Sequence, residues 1–150
     1  MNIHNLVQSL IKKYGTNDPF DIVKQKNVIL VYAPLNDVRG FYQFFQRNNI
    51  IYIDENLPES EKTFVCAHEL GHMFLHKKAN ALYMDSHTLF NTDKFENEAN
   101  TFAAELLIPD ELVYDHPGMT SEQIARLAGY SEKIMTFKTI KGGNTYGNEI

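Results

Sequence analysis

The segment His68-Glu69-Leu70-Gly71-His72 constrains this chain more than any other feature, because it sets two histidines four residues apart within an apolar run. Residues four apart on an α-helix share one face and lie about 6 Å apart along its axis. Both imidazoles can therefore bind one metal ion, and the glutamate beside the first is placed to take a proton from water. This H-E-x-x-H pattern predicts a helix that carries a zinc hydrolase site, with His68 and His72 as ligands and Glu69 as general base.

The residues around the motif favour a buried helix. Pro58 suits the first turn of a helix, and Glu59 and Glu61 suit the positive end of the helix dipole. Apolar side chains recur at helical spacing through the motif, at Phe64, Val65, Ala67, Leu70, Met73, Phe74 and Leu75. We therefore predict a mostly buried helix from about 59 to 76. Two histidines that merely flanked an apolar stripe would leave the ionisable Glu69 among apolar neighbours unexplained.

A catalytic zinc ion usually takes three protein ligands and leaves one position for water, so a third ligand is needed. His76 continues the spacing of four, but on a continuous helix it lies about 12 Å from His68, too far to share one ion, so it is predicted to end the helix or to support a ligand from behind. The better source is the stretch 96–109, whose pattern predicts a second helix that stops at Pro109.

Within that second helix, Glu96 is the best candidate for the third ligand. It shares a face with Asn100, which could orient another ligand. Glu98 lies about 200° around the helix from Glu96, so both cannot be ligands, and a solvated position or a salt bridge is predicted for Glu98. Small side chains that let a neighbouring helix approach are Ala99, Ala103 and Ala104.

Together, the two segments resemble the ImmA/IrrE family of metallopeptidases. The similarity rests on the H-E-x-x-H motif with Leu75-His76 after it, and on E-N-E-A-N-T-F-A-A-E-L-L-I-P at 96–109. The resemblance implies a zincin-like zinc endopeptidase whose gluzincin-like site has His68, His72 and Glu96 as ligands and Glu69 as general base. Members commonly cleave helix-turn-helix repressors of prophages, other mobile elements or stress responses, so the resemblance also implies a DNA-binding repressor as the protein substrate.

The rest of the chain predicts an α+β fold in which a small antiparallel sheet packs on the motif helix. A turn is predicted at Asn48-Asn49 and a loop over 77–95, where no clean period is present. Helices are predicted over 3–14 and about 19–24, and strands over 28–32, 40–45 and 50–53. By the resemblance, an edge strand ahead of the motif helix would bind extended substrate through its main chain.

The C-terminal part predicts a short helical segment. We expect a metallopeptidase domain over 1–110 and a small helical segment over 111–150 that packs on the same domain. Residues 120–134 resemble the first part of a helix-turn-helix, with Ser121 and Ser131 as possible caps and Gly129 as the break. Too few basic residues follow for reading DNA, so a packing or docking role is favoured.

Charge and composition exclude several classes of protein. A net charge of −5 and a pI of about 5.6 argue against direct binding of nucleic acid through a broad basic surface. The single cysteine, Cys66, precludes an intrachain disulfide and predicts a small buried thiol. No apolar run has transmembrane length and the N-terminus does not have a signal-peptide pattern, so we expect a cytoplasmic protein without a membrane partner.

These observations predict a zinc endopeptidase that cleaves a repressor, and two alternatives stay open. A zincin-fold protein could dock a repressor without cleaving it, although an intact set of metal-site residues argues against this. A DNA-binding regulator acting through the C-terminal segment would bind DNA with strong salt dependence, which the acidic chain disfavours. The donor that stabilises the tetrahedral intermediate is not assigned, with Tyr83, His76 and His87 as candidates.

Overall fold

The computed structural model describes residues 2–86 and 92–138, with side chains over 2–77 and 93–138. Its elements form an α+β fold, as predicted, and no helix in these ranges is long and apolar enough to cross a membrane. In chain order they are α1 (Ile3–Tyr14), α2 (Pro19–Gln25), β1 (Ile29–Ala33), β2 (Gly40–Phe45), β3 (Asn48–Asp54), α3 (Glu59–Ser86), α4 (Thr92–Leu107), α5 (Asp110–Tyr114), α6 (Ser121–Ala128) and a C-terminal 3₁₀ helix (Glu132–Phe137).

The three-stranded sheet is mixed, so the prediction of an antiparallel sheet was wrong for β1. The strand order is β1-β3-β2, with β3 parallel to β1 and antiparallel to β2. The β2–β3 hairpin brings the chain back between β1 and β2, so that β3 runs in the same direction as β1. Alternation of apolar residues indicates which side chains of a strand are buried, but it carries no information about the direction of the neighbouring strand.

The hairpin turn lies at Gln46-Arg47, two residues before the predicted position at Asn48-Asn49. Both turn residues have positive φ, 49° and 66°, which is typical of a two-residue type I′ turn. Asparagine tolerates this conformation best, which motivated the prediction. The register is decided instead by the pairing of Tyr42 with Ile51, both of which are buried on the core side of the sheet.

Helix α3 is longer than predicted and is interrupted within its length. It extends from Glu59 to Ser86, and His76 has non-helical backbone angles of φ −131° and ψ 18°. The prediction of a loop over 77–95 was therefore wrong for 77–86 and 92–95, whereas 87–91, including His87, lie outside the described residues. These added helical residues are mixed in character and give no clean apolar stripe, which is the signal on which such predictions depend.

Helices α3 and α4 approach each other closely because both have small residues at the contact. A β-carbon at Gly71 would lie 3.0 Å from Cβ of Phe102 and 3.1 Å from Cα of Ala99. This is the close approach that the small residues of the second motif predicted. Cys66 lies in the same core, free and buried as expected. The packing brings the second motif alongside the H-E-x-x-H motif.

The C-terminal segment departs from a helix-turn-helix after its first helix. Thr120, and not Ser121, caps α6, and Gly129 ends that helix with a left-handed φ of 98°. The chain then forms the 3₁₀ helix instead of a second α-helix, and its Ile134 and Met135 are buried in the same core as α4. Because 3₁₀ helices are short and these side chains face inward, the described part of this segment, up to residue 138, has no exposed recognition helix.

Candidate metal centre

The two motif histidines direct the same ring nitrogen towards one carboxylate on α4. His68 Nε2 lies 3.0 Å from Glu96 Oε2, and His72 Nε2 lies 2.8 Å from Glu96 Oε1. Their potential ligand atoms all fall within 4.8 Å of one another. The structure therefore brings together the three residues that the sequence predicted as ligands, although Glu96 lies 28 positions after His68 in the chain.

The donor set and its spacing fit a zinc ion. Zinc binds imidazole nitrogen and carboxylate oxygen at about 2.0–2.2 Å in tetrahedral geometry, which puts neighbouring donors roughly 3.3 Å apart. The two nitrogen–oxygen distances, 3.0 and 2.8 Å, are shorter than that value by about 0.3 and 0.5 Å, so a small outward shift of these side chains would admit the ion. The side chain of Glu96 is 54% exposed while those of His68 and His72 are largely buried. The site is therefore open on the side of Glu96, as a position for water or substrate requires.

The other ring nitrogens of the two histidines have their own partners. His68 Nδ1 lies 2.7 Å from Asn100 Oδ1, the contact that the shared face of Glu96 and Asn100 predicted. His72 Nδ1 lies 3.1 Å from His76 Nδ1, and His76 Nε2 lies 3.0 Å from Glu98 Oε1. Glu98, for which a solvated position or a salt bridge was predicted, thus accepts a hydrogen bond from the buried His76. His76 is not part of the three-residue group, in agreement with its distance along α3.

Burial and hydrogen bonding perturb the ionisable groups of this centre. Burial raises the pKa of the Glu69 carboxyl, and the nearby charges of His68 and His72 only partly oppose it. Hydrogen bonds from His68 and His72 lower the pKa of Glu96, so it stays an anion. Burial lowers the pKa of His76 despite the opposing hydrogen bond to Glu98. A carboxyl whose pKa is raised by burial can exchange a proton with a neighbouring group.

A cavity of about 870 Å³ opens beside these residues. Its walls come from three parts of the chain: residues 38–42 at the start of β2, the motif faces of α3 and α4, and residues 129–137. The contribution of 129–137 was not foreseen, because a wall formed by a distant segment has no local sequence signal. Arg39 and Tyr130 also line the cavity and were missed as site residues. The side chains of Tyr83 and His87, considered earlier as donors, lie outside the described residues.

Comparison with known proteins agrees with this geometry. A family model described as the IrrE N-terminal-like domain matches residues 23–139. The chain is 43% identical over 137 residues to "Uncharacterized immunity region protein 2" of Bacillus phage phi105, a match that covers 89% of this chain and 87% of that protein. It is 32% identical over 154 residues to "Metallopeptidase ImmA" of Bacillus subtilis (strain 168), covering 99% of this chain and 89% of that protein.

The resemblance inferred from the two motifs is therefore confirmed at the level of the family. The matched region includes both motif helices and the residues that form the cavity beside them. Because the family model spans well over half of the chain and both relatives match over most of their length, the chain belongs to the ImmA/IrrE family of peptidases.

Proposed function

We propose that this protein is a zinc-dependent endopeptidase that cleaves a DNA-binding repressor. In this proposal His68, His72 and Glu96 are the zinc ligands and Glu69 is the general base. The observation that carries it is the approach of one carboxylate on α4 to the Nε2 atoms of both motif histidines on α3. The chemistry of two imidazoles and one carboxylate, with one open side, is that of a catalytic zinc site.

The mechanism assigns one proton-transfer role to Glu69. A zinc ion at this centre would supply a Lewis acid that polarises the peptide carbonyl and lowers the pKa of water. Glu69 takes the proton from the attacking water and delivers it to the leaving amine. Burial raises the pKa of this carboxyl and so stabilises its protonated form, which favours the second half of that cycle.

Strand β2 is suited to hold an extended peptide beside this centre. Within residues 2–86 and 92–138 it pairs with β3 alone, and residues 40–42 line the cavity. A peptide that adds to the free edge of β2 would gain main-chain hydrogen bonds with little dependence on its sequence. Cleavage of a polypeptide, as opposed to a small amide, agrees with a cavity of about 870 Å³ that has three walls and an open side.

The repressor as substrate is supported by the kinds of protein that match. One relative is named for an immunity region of a phage and the other is named a metallopeptidase. A peptidase that acts in immunity would relieve repression by destroying a regulator. The alternative is a protein that docks the repressor and releases it from DNA without cleavage.

A Glu69→Gln variant separates these two functions. Wild type and variant are each incubated with extract of a host cell that carries the element, and new protein N-termini are identified by mass spectrometry. The wild type should generate new N-termini within a helix-turn-helix protein, whereas Glu69→Gln should generate none and still bind about one zinc ion per chain. A Glu55→Gln change, at an exposed carboxylate away from the cavity, is the matched control and should cleave normally. Identical fragments from wild type and Glu69→Gln would contradict the proposed mechanism, and relief of repression by the variant would favour docking.

A further inference from the structure

His72 takes part in a hydrogen-bonded chain that runs away from the metal centre. Its Nδ1 lies 3.1 Å from Nδ1 of His76, and Nε2 of His76 lies 3.0 Å from Oε1 of Glu98. His72 and His76 are both buried, at 7% and 5% exposure. Water therefore has little access to the two imidazoles, and these contacts join α3 to α4 through Glu98.

The carboxylate of Glu98 determines which atom donates in each of these hydrogen bonds. A carboxylate such as Glu98 only accepts hydrogen bonds, so Nε2 of His76 is the donor to it. In the neutral imidazole the other nitrogen of His76, Nδ1, is then an acceptor. In this structure Nε2 of His72 donates to the carboxylate of Glu96. A metal ion at the centre would take the lone pair of this Nε2, and His72 would then hold its proton on Nδ1 and donate it to Nδ1 of His76. An imidazole that binds a metal through Nε2 needs this tautomer.

The break in α3 lies at the residue that makes this contact. His76 has φ −131° and ψ 18°, outside the helical range, although the residues on both sides are helical. The ring of Phe95 on α4 packs against the imidazole of His76, with 4.4 Å between ring centroids. Backbone and packing together set the orientation of the His76 ring.

His68 has a simpler arrangement that leads to the same tautomer. Its Nδ1 donates to Oδ1 of Asn100 at 2.7 Å, so the proton that stays on His68 when Nε2 binds a metal already has an acceptor. Both histidines of the motif therefore have a hydrogen-bond partner at Nδ1, the ring nitrogen that points away from the metal centre. The support for His72 differs in that it passes through a second imidazole to a carboxylate.

We propose that His76 and Glu98 are positioning residues that hold His72 in the tautomer and ring orientation required to bind zinc. The inference rests on the proposed function for the identity of the metal. Neither residue belongs to the three-residue group of possible ligands. The inference therefore adds His76 and Glu98 to the same site. Loss of such supporting contacts typically weakens metal affinity or activity by about 10- to 100-fold.

The test compares His76→Leu with His76→Gln. Leucine removes both hydrogen bonds, whereas the glutamine amide can accept from His72 and donate to Glu98. Zinc dissociation constants are measured by chelator competition, and the melting temperature of each metal-free variant reports its folding. We expect His76→Leu and Glu98→Ala to bind zinc about 10- to 100-fold more weakly, and His76→Gln to recover most of that loss. A His116→Leu change removes a hydrogen bond from a histidine to the carbonyl of Leu112, away from the cavity, and should leave zinc affinity unchanged.

A spectroscopic readout separates positioning from general stability. In zinc-loaded wild type labelled with ¹⁵N-histidine, a scalar coupling between the Nδ1 atoms of His72 and His76 should report the N–H···N hydrogen bond directly. Wild-type zinc affinity in His76→Leu, or an absent coupling in the zinc-loaded wild type, would overturn the inference and leave the proposed peptidase intact. A wild type that does not bind zinc would overturn both, so the two failures are distinguishable.

Discussion

Replacing Lys138 by methionine should destabilise the protein strongly, because its ammonium group is buried among carboxylates. The side chain has no exposed surface, and Nζ lies 3.3 Å from Oε1 of the equally buried Glu105. It also donates a hydrogen bond to Asp110, which accepts a second one from His4 at 2.8 Å. The cluster joins α1, α4 and the start of α5 to the residue that follows the 3₁₀ helix.

The size of the stability loss in Lys138→Met follows from the burial of the carboxylates that would remain. Removing one member of a buried ion pair costs about 3–5 kcal/mol, because the other charge stays in a poorly solvated position. At about 2–4 °C per kcal/mol for a chain of this size, the melting temperature should fall by roughly 10 °C. The matched control is Arg126→Met, since the pair of Arg126 with Glu122 is exposed on both sides, at 75% and 57%. A pair of that kind contributes about 0.3–0.5 kcal/mol, so its loss should move the melting temperature by only about 1–2 °C.

Thermal unfolding followed by circular dichroism measures both effects. The double variant Lys138→Met/Glu105→Met removes the uncompensated charge and should recover a large part of the lost stability. A Lys138→Met protein that melts within about 2 °C of wild type would refute the reasoning, because the ammonium could not then be buried against these carboxylates. A double variant less stable than either single change would attribute the loss to packing instead of charge.

Two further predictions concern the metal centre and acid stability. Glu96→Ala should lose most bound zinc by elemental analysis while Glu111→Ala retains about one ion per chain, and full retention by Glu96→Ala would move the third ligand elsewhere. Burial tends to raise the pKa of Asp110, but the hydrogen bonds from Lys138 and His4 outweigh it and the pKa is lowered. The ionised Asp110 therefore stabilises the fold fully at pH values above its pKa in the unfolded chain, about 3.9. This stabilisation is lost as the pH falls through the lower pKa of Asp110 in the folded protein. Between pH 5 and 2 the unfolding free energy of Asp110→Asn should thus depend less on pH than that of wild type; equal slopes in urea titrations would contradict this.

Much of the fold was predictable wherever local chemistry decides it. The helix over 3–14 and strand β2 over 40–45 were predicted at the positions where the structure has them. Regular apolar periodicity and clear end signals, such as the left-handed Gly15 after α1, account for this success. The predictions failed where non-local contacts decide, as in the direction of β1 relative to β3.

The same division applies to the candidate site. Spacing on one helix predicted that His68 and His72 share a face, and the pattern of the second helix predicted that Glu96 and Asn100 face it together. The contact between His72, His76 and Glu98 could not be predicted, because it depends on a backbone break that has no glycine or proline signal. The cavity wall from 129–137 and the burial of Lys138 also depend on segments that are distant in the chain.

The sequence by itself determined the chemistry of this protein: the residue types, their helical spacing and the family to which they belong. Those properties depend on the 3.6-residue period of a helix and on the ligand preferences of a metal, and both act within a few residues. Only the tertiary structure decided how the parts meet: β3 between β1 and β2, α4 against Gly71, and the C-terminal segment beside the cavity. These contacts form because burying apolar surface and pairing buried charges are properties of the whole packed chain, and no local pattern encodes them.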